Sequence, residues 1–361
     1  MADNTAQDTP RPAAPARAER PPGEIRHPFN EAGLLKWMQD NVPGFEGPIS
    51  VKQFGFGQSC PTYELTTPNK KYVMRRKPPG KLLPSAHAVD REFKVISGLY
   101  PTGFPVAQPY GLCTDDSVVG TMFYVMGFAD GRVLLDQTLP NFKPEERRAI
   151  HMSVVETMAR LHNTDYKKIG LEDYGKPGNY MMRQIDRWTK QYRASETEDI
   201  PEMNKLMEWL PKSCPPDDET SIVHGDYRLD NVSIHKTGTN VIAVLDWELG
   251  TLGNPMADFS NLLMQWYNGS LGQASKDPAY GIPTADEAIH RYCELRGRKD
   301  GVDQIDWYIS YNIFRLAAII QGIVGRVRDG TASSATAAQN SGRVGILGKS
   351  AWRFAQKAGA V

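Results

Sequence analysis

Two short stretches combine carboxylates with an amide at a fixed spacing. The first runs Ile222-Val223-His224-Gly225-Asp226-Tyr227-Arg228-Leu229-Asp230-Asn231, and the second Val241-Ile242-Ala243-Val244-Leu245-Asp246-Trp247-Glu248. Moving a phosphoryl group to a hydroxyl needs this kind of set. One carboxylate must orient the hydroxyl and take its proton, and hard oxygen ligands must hold magnesium against the phosphates. Asp226 suits the first task, and Asn231 with Asp246 suits the second. Arg228, two residues beyond the base, is placed to reach the transferred group and offset its charge. Taken singly, each Asp or Asn would serve equally well to cap a turn. Capping does not account for the whole spacing.

The elements that would position these groups are legible around them. Val232-Ser233-Ile234 and residues 241–245 are β-type runs, and Lys236-Thr237-Gly238-Thr239-Asn240 between them reads as a turn. A hairpin there brings Asn231, at its entry, beside Asp246, at its exit. Upstream, residues 47–77 alternate glycine-marked turns with runs such as Tyr72-Val73-Met74, and residues 86–99 read as a helix. Phe123-Tyr124-Val125-Met126 is an apolar strand ending at Gly127, after which helical patterns dominate. Pro144 with Glu145 and Glu146 opens one helix, and Ile150, Val154, Met158 and Leu161 mark its apolar face. Between two β-type runs lies Phe54-Gly55-Phe56-Gly57-Gln58-Ser59-Cys60-Pro61-Thr62-Tyr63. Gly55 and Gly57 would let backbone amides approach a phosphate, and Ser59 adds a hydroxyl donor, although glycine pairs also occur in ordinary hairpins.

The phrase His-Gly-Asp-x-x-x-x-Asn, followed by a strand and Leu-Asp-x-Glu, resembles the catalytic and metal motifs of the aminoglycoside phosphotransferase and choline kinase superfamily, a distant relative of protein kinases. The resemblance covers roughly residues 30–330. It implies an α+β, bilobal protein-kinase-like fold with a small antiparallel β-rich N-lobe and a larger helical C-lobe. It also implies use of ATP and Mg2+, with Asp226 as catalytic aspartate and Asn231 and Asp246 as metal ligands. Glu248 matches a second metal ligand of choline kinases or else is a surface glutamate. Residues 54–63 are similar to the family's nucleotide loop, with Phe56 and Cys60 departing from its usual glycine and asparagine. In kinases a cation on the third strand holds the phosphates and pairs with a glutamate on the next helix. Arg75 falls at that position and Glu92, in Asp90-Arg91-Glu92, is the expected partner, with Arg76 or Lys77 as alternatives because register flips the face at each residue. Met126-Gly127-Phe128 looks like the hinge whose backbone bonds adenine, or an ordinary buried strand end. Asp258, in Gly253-Asn254-Pro255-Met256-Ala257-Asp258, resembles the helix-start aspartate that supports the catalytic loop. Arg-Arg-Lys-Pro-Pro-Gly-Lys and Leu-Asp-Trp-Glu-Leu are similar to phrases of the kinase-like domain fused to acyl-CoA dehydrogenases.

The bulk properties agree with a small-molecule enzyme. The 361 residues carry 42 basic and 42 acidic side chains, so no global charge draws the chain to nucleic acid or an anionic membrane. No apolar run approaches the roughly 18 residues of a membrane span. Four scattered cysteines without a Cys-x-x-Cys pair argue for a reducing, cytoplasmic setting. The expected organisation is a disordered tail over 1–27, a nucleotide-binding lobe over 28–126 and a catalytic and acceptor-binding lobe over 127–361. A protein kinase is disfavoured, since no activation segment ends in an Ala-Pro-Glu-like motif. A nucleotide-binding pseudokinase module is the other alternative, but it would usually have lost one of Asp226, Asn231 and Asp246. The acceptor is expected to be a hydroxyl-bearing small molecule. Residues 307–361 hold Arg315, Arg326, Arg328, Arg343, Lys349, Arg353 and Lys357 against Asp329 alone. Polycationic aminoglycosides require carboxylates, so these cations favour an anionic acceptor such as a sugar phosphate or, as the resemblance suggests, a hydroxyacyl-CoA. Equally, such cations often only solvate helix faces.

Overall fold

The computed structural model describes residues 25, 28–55, 60–80, 88–216, 219–298, 301–330 and 342–361. Gly57, Ser59 and all of the expected tail except Ile25 lie outside the described residues. The chain opens with α1 (Glu31–Asn41) and strands β1 (Ser50–Gln53), β2 (Thr62–Thr66) and β3 (Lys71–Arg76). Then come α2 (Val89–Leu99), β4 (Pro109–Cys113), α3 (Asp116–Val119) and β5 (Phe123–Gly127). The five strands form one antiparallel sheet in the order β1-β2-β3-β5-β4. Alternation puts Tyr63 and Leu65 of β2 and Tyr72 and Met74 of β3 on one face, where they bury against Leu34 and Met38 of α1. Register therefore decides between neighbouring cations. Arg76 shares the α1 face, donating to the Val119 carbonyl at 3.0 Å and lying over the Phe29 ring. Arg75 turns to the opposite face, toward α2.

The larger lobe begins with β6 (Gly131–Arg132) and α4 (Pro144–Asn163). Ile150, Val154, Met158 and Leu161 are all buried, as the periodicity implies. After α5 (Tyr180–Ser195) and α6 (Pro201–Lys212) come β7 (Ser221–Val223), β8 (Val232–His235), β9 (Val241–Val244) and β10 (Thr251–Gly253). β8 and β9 form the expected hairpin and β6 joins its edge, while β7 pairs with β10. Helices α7 (Pro255–Tyr267), α8 (Leu271–Ala274), α9 (Ala285–Arg296), α10 (Ile305–Arg328) and α11 (Arg343–Lys357) complete the lobe. The arrangement is the bilobal α+β kinase-like architecture that the motifs imply. Among the described residues no helix is long and apolar enough to cross a membrane.

The two apolar cores do not divide at the strand-like hinge. Val89, Val95, Ile96 and Leu99 of α2 belong to the large-lobe core and not to the small core under α1. Burying four such side chains is worth about 1.5–3 kcal/mol each before chain entropy is subtracted, so α2 is anchored to the catalytic lobe.

Candidate active site

The catalytic loop connects β7 to β8 and is held from beneath by one buried carboxylate. Asp258, in the first turn of α7, accepts the His224 amide at 2.7 Å and the Gly225 amide at 2.9 Å. Burial pushes its pKa up, but hydrogen bonding and charge from His162, with help from His224, outweigh this and leave it lowered. Burial lowers the His162 pKa in turn, against the opposing pull of Asp258. Its Nε2 faces Asp258 at 3.4 Å, so its Nδ1 accepts from the Tyr292 hydroxyl at 2.7 Å. Gly225 adopts φ +83°, and a Cβ there would meet Leu249 at 2.9 Å, so the turn requires glycine. From α10, Arg315 donates to the Gly225 carbonyl at 2.6 Å and lies over the Trp188 ring. The His224 ring donates through Nε2 to the Leu245 carbonyl at 2.8 Å and accepts the Asp226 amide at Nδ1, which links the loop to the far end of the hairpin.

This scaffold brings the predicted residues together. Asn231 donates from its amide nitrogen to the Asp226 carbonyl at 2.8 Å and to the Asp226 carboxylate at 3.1 Å, so the atom it can offer a cation is its oxygen. The Leu245 amide donates to the Asn231 carbonyl at 2.8 Å, which sets Asp246 beside Asn231. Asp246 sits in the left-handed region at φ +61°, a conformation that costs a non-glycine residue about 1–2 kcal/mol. Arg228 lies 3.3 Å from Asp226 through Nε and donates to Asp230 at 3.0 Å through Nη2.

The small lobe meets this loop through one guanidinium. Arg75 Nε lies 2.9 Å from Glu92 Oε2, and its Nη2 donates to Asp246 Oδ1 at 2.8 Å, with Glu248 Oε2 at 3.7 Å. Burial raises the Glu92 pKa to about 7 against the opposing pull of Arg75, and Tyr124 donates to Glu92 at 3.1 Å. Three carboxylates converge on one cation, and two of them are exposed enough for an ion to reach, at 35% for Asp246 and 28% for Glu248. Together with the Asn231 oxygen, Asp246 and Glu248 are the groups that could hold a divalent cation. Among the described residues no three His, Cys, Asp or Glu side chains already surround a common centre. Cys60 lies behind Arg75 fully buried, and burial pushes its thiol up to about 12, so it is an inert packing group.

Other expected residues are placed less tightly. Gly55, expected in the nucleotide loop, lies just beyond the Phe54 amide, which bonds the Thr62 carbonyl at 3.0 Å where β1 and β2 end. The amides that follow Met126 are spent inside the sheet, Gly127 on the Gln108 carbonyl at 2.8 Å and Phe128 on the Lys71 carbonyl at 3.4 Å. Of the cations in the last part of the chain, Arg315 reaches the catalytic loop. Arg328 turns instead to Asp329, Lys357 lies over Phe354, and Lys349 with Arg353 lines a cavity beside Glu202 and Trp352. Sequence reasoning missed Arg91, which donates to the Tyr174 carbonyl at 2.6 Å and the Gly250 carbonyl at 3.3 Å. It also missed His162, Tyr292 and the loop contact of Arg315. The hydrogen-bond partners named for these residues are 83 or more positions distant in sequence, and only the Asp90-Arg91-Glu92 cluster hinted at any of them.

Comparison with known proteins shows the family. A profile of the phosphotransferase enzyme family matches residues 50–295. Acyl-CoA dehydrogenase family member 10 of Mus musculus is 42% identical over 319 residues, covering 87% of this chain and 30% of that protein. Acyl-CoA dehydrogenase family member 11 of Homo sapiens is 40% identical over 318 residues, covering 86% of this chain and 41% of that protein. The chain thus spans well under half the length of these relatives. A crystal structure from Ralstonia eutropha JMP134, carried under an aminoglycoside phosphotransferase name, is 47% identical with a TM-score of 0.83, covering 91% of this chain and 99% of that one. A spectinomycin phosphotransferase solved with ADP and spectinomycin shares the fold at a TM-score of 0.56 and 13% identity, covering 91% of this chain and 98% of that one.

Proposed function

The chain belongs to the phosphotransferase enzyme family, the small-molecule kinases that act on hydroxyl groups, and on that premise we propose an ATP- and Mg2+-dependent transfer to the hydroxyl of an anionic small molecule. One observation carries this reading. Asp226, Asn231 and Asp246, from the two ends of one hairpin, converge with the Arg75–Glu92 pair of the other lobe. Asp226 takes the proton of the acceptor hydroxyl. Asn231 and Asp246, with Glu248, would hold a magnesium ion, which would neutralise charge on the phosphates. Arg75, kept in place by Glu92, would bind the phosphate end of the nucleotide, with the backbone at Gly55 beside it and the Met126–Phe128 segment bordering the base; Gly57 and Ser59, expected to cover the phosphates, lie outside the described residues. Arg228, beside Asp226, offsets charge on the transferred group.

The acceptor side of the loop is cationic. Arg315 is fixed on the Gly225 carbonyl, and Arg187 stacks on the same Trp188 ring, 5.2 Å from its centroid. Guanidinium groups bind phosphate and carboxylate and would repel a polyamine. A hydroxyacyl-CoA fits this chemistry, and the dehydrogenase names of the relatives point the same way. None of the four cysteines forms a disulfide, which suits a cytoplasmic enzyme. The test is magnesium-dependent ADP release with matched panels of anionic hydroxy-compounds and cationic aminoglycosides, at low and moderate salt. Turnover is expected with the anionic set. Efficient phosphorylation of kanamycin-like compounds alone would overturn the acceptor class, and no nucleotide binding at all would overturn the enzyme reading in favour of an interaction module.

A further inference from the structure

The residue next to Glu92 does something that the phosphate-binding pair does not explain. Arg91 leaves α2 on the side facing the large lobe and donates through Nη2 to two backbone carbonyls from separate segments, Tyr174 at 2.6 Å and Gly250 at 3.3 Å. Its guanidinium lies 4.7 Å from the centroid of the Tyr174 ring, and Tyr174 is itself buried. Gly250 closes the short turn Trp247–Leu249 that follows Asp246. Arg91 therefore grips the backbone two residues after Glu248, while Glu92 holds the guanidinium that reaches Asp246.

The rest of α2 supports the same docking. Residues 91, 94 and 98 fall on one stripe of the helix. Lys94 pairs with Asp173 at 2.5 Å, and a Cβ on Gly98 would meet the Ile169 carbonyl at 3.2 Å, so the helix lies close against the 169–175 segment. The adjoining positions Val95, Ile96 and Leu99 bury in the large-lobe core. Docking is thus built into α2 by packing and by one planar guanidinium that bonds both carbonyls through Nη2 while lying over the Tyr174 ring, an arrangement the compact ammonium of a lysine does not reproduce.

We propose that Arg91 is a positioning residue that locks α2 onto the Asp246–Gly250 turn, so that Glu92 presents Arg75 in its nucleotide-binding arrangement without any external signal. The assignment rests on the nucleotide site proposed above. Loss of the lock lowers the fraction of molecules with Glu92 in place, and apparent nucleotide affinity falls by that fraction.

The experiment compares the full chain with Arg91→Met, which keeps an apolar stem, and with Arg91→Lys. ADP with magnesium is titrated calorimetrically, and hydrogen exchange is followed along the chain without ligand. R91M is expected to bind ADP about tenfold more weakly, with faster exchange confined to residues 89–99 and 247–250, and R91K to fall between. Unchanged affinity with unchanged α2 exchange overturns the proposal. So does a uniform loss of stability that leaves affinity intact, since that is a merely structural role. If R91M does not fold, the same readouts on R91K decide. Failure of the unsubstituted chain to bind ADP would overturn the nucleotide site alone, because α2 exchange still reports the lock independently.

Discussion

The catalytic loop and the lobe junction are both made of charged residues around Asp246, yet they are built in opposite ways. In the loop, Asp226, Asn231 and Asp246 lie within 21 positions of one another, and a single hairpin brings them together. At the junction, Arg75 meets Asp246 across 171 positions, and Arg91 meets Gly250 across 159. A locally closed set is inherited from turn chemistry and strand register. A distantly closed set exists only when two lobes pack, so its geometry depends on the cores behind it. The loop should therefore respond to substitution in its chemistry, and the junction in its affinity.

Breaking the loop at its base gives the largest effect. Asp226→Asn is expected to lower turnover by about 10²–10⁴-fold on the acceptor that the panels identify, with nucleotide affinity near that of the parent. Wild-type rates in D226N would remove Asp226 from the role of base.

Acid should distinguish the lobes next. Burial holds His151 down to about 4 and also lowers His162, and both lie in the large lobe. Below pH 6.5 the unfolded chain binds protons that these folded histidines refuse, so stability falls as pH falls toward 4. For His151 alone the loss approaches roughly 3 kcal/mol at the bottom of that window. Urea midpoints measured between pH 7 and pH 4.5 should drop, and His151→Gln should flatten the drop. An unchanged slope in H151Q would reject the assignment.

The support under the loop is the third point of attack. Asp258→Asn leaves one oxygen for two backbone amides and places an NH2 group against them. This should cost about 1–3 kcal/mol in denaturant unfolding and lower turnover at saturating substrate. A fall in turnover without any change in nucleotide affinity would sharpen the comparison. A change confined to nucleotide affinity would erase it.

The smallest expected change tests where the two regions meet. Asp246→Ala should abolish the magnesium-dependent tightening of ATP binding, an effect of about tenfold, as seen by calorimetry with and without magnesium. Since Arg75 also loses a partner in D246A, the magnesium-free affinity should shift as well. Magnesium dependence that survives intact would place the metal elsewhere.

How much was legible follows from the same physics. The β8–β9 hairpin, the α4 face and the Asp226, Asn231 and Asp246 set were readable because turn residues and periodicity act over a few positions. The pairing of Arg75 with Glu92 was readable only through family resemblance. Nothing in Tyr72-Val73-Met74-Arg75-Arg76-Lys77 says which cation faces α2 until β3 acquires partners on both sides. Arg315 looked like one cation among seven, and its contact with Gly225 depends on how α10 crosses the loop. The buried His162–Asp258–Tyr292 chain joins three helices and has no signature along the sequence. By itself the sequence determined the Asp226, Asn231 and Asp246 set and its hairpin, because short-range turn and strand preferences bring them together. Tertiary packing alone decided the face of Arg75, the grip of Arg91 and the allegiance of α2 to the larger core, because each depends on apolar burial between segments that are remote in the chain.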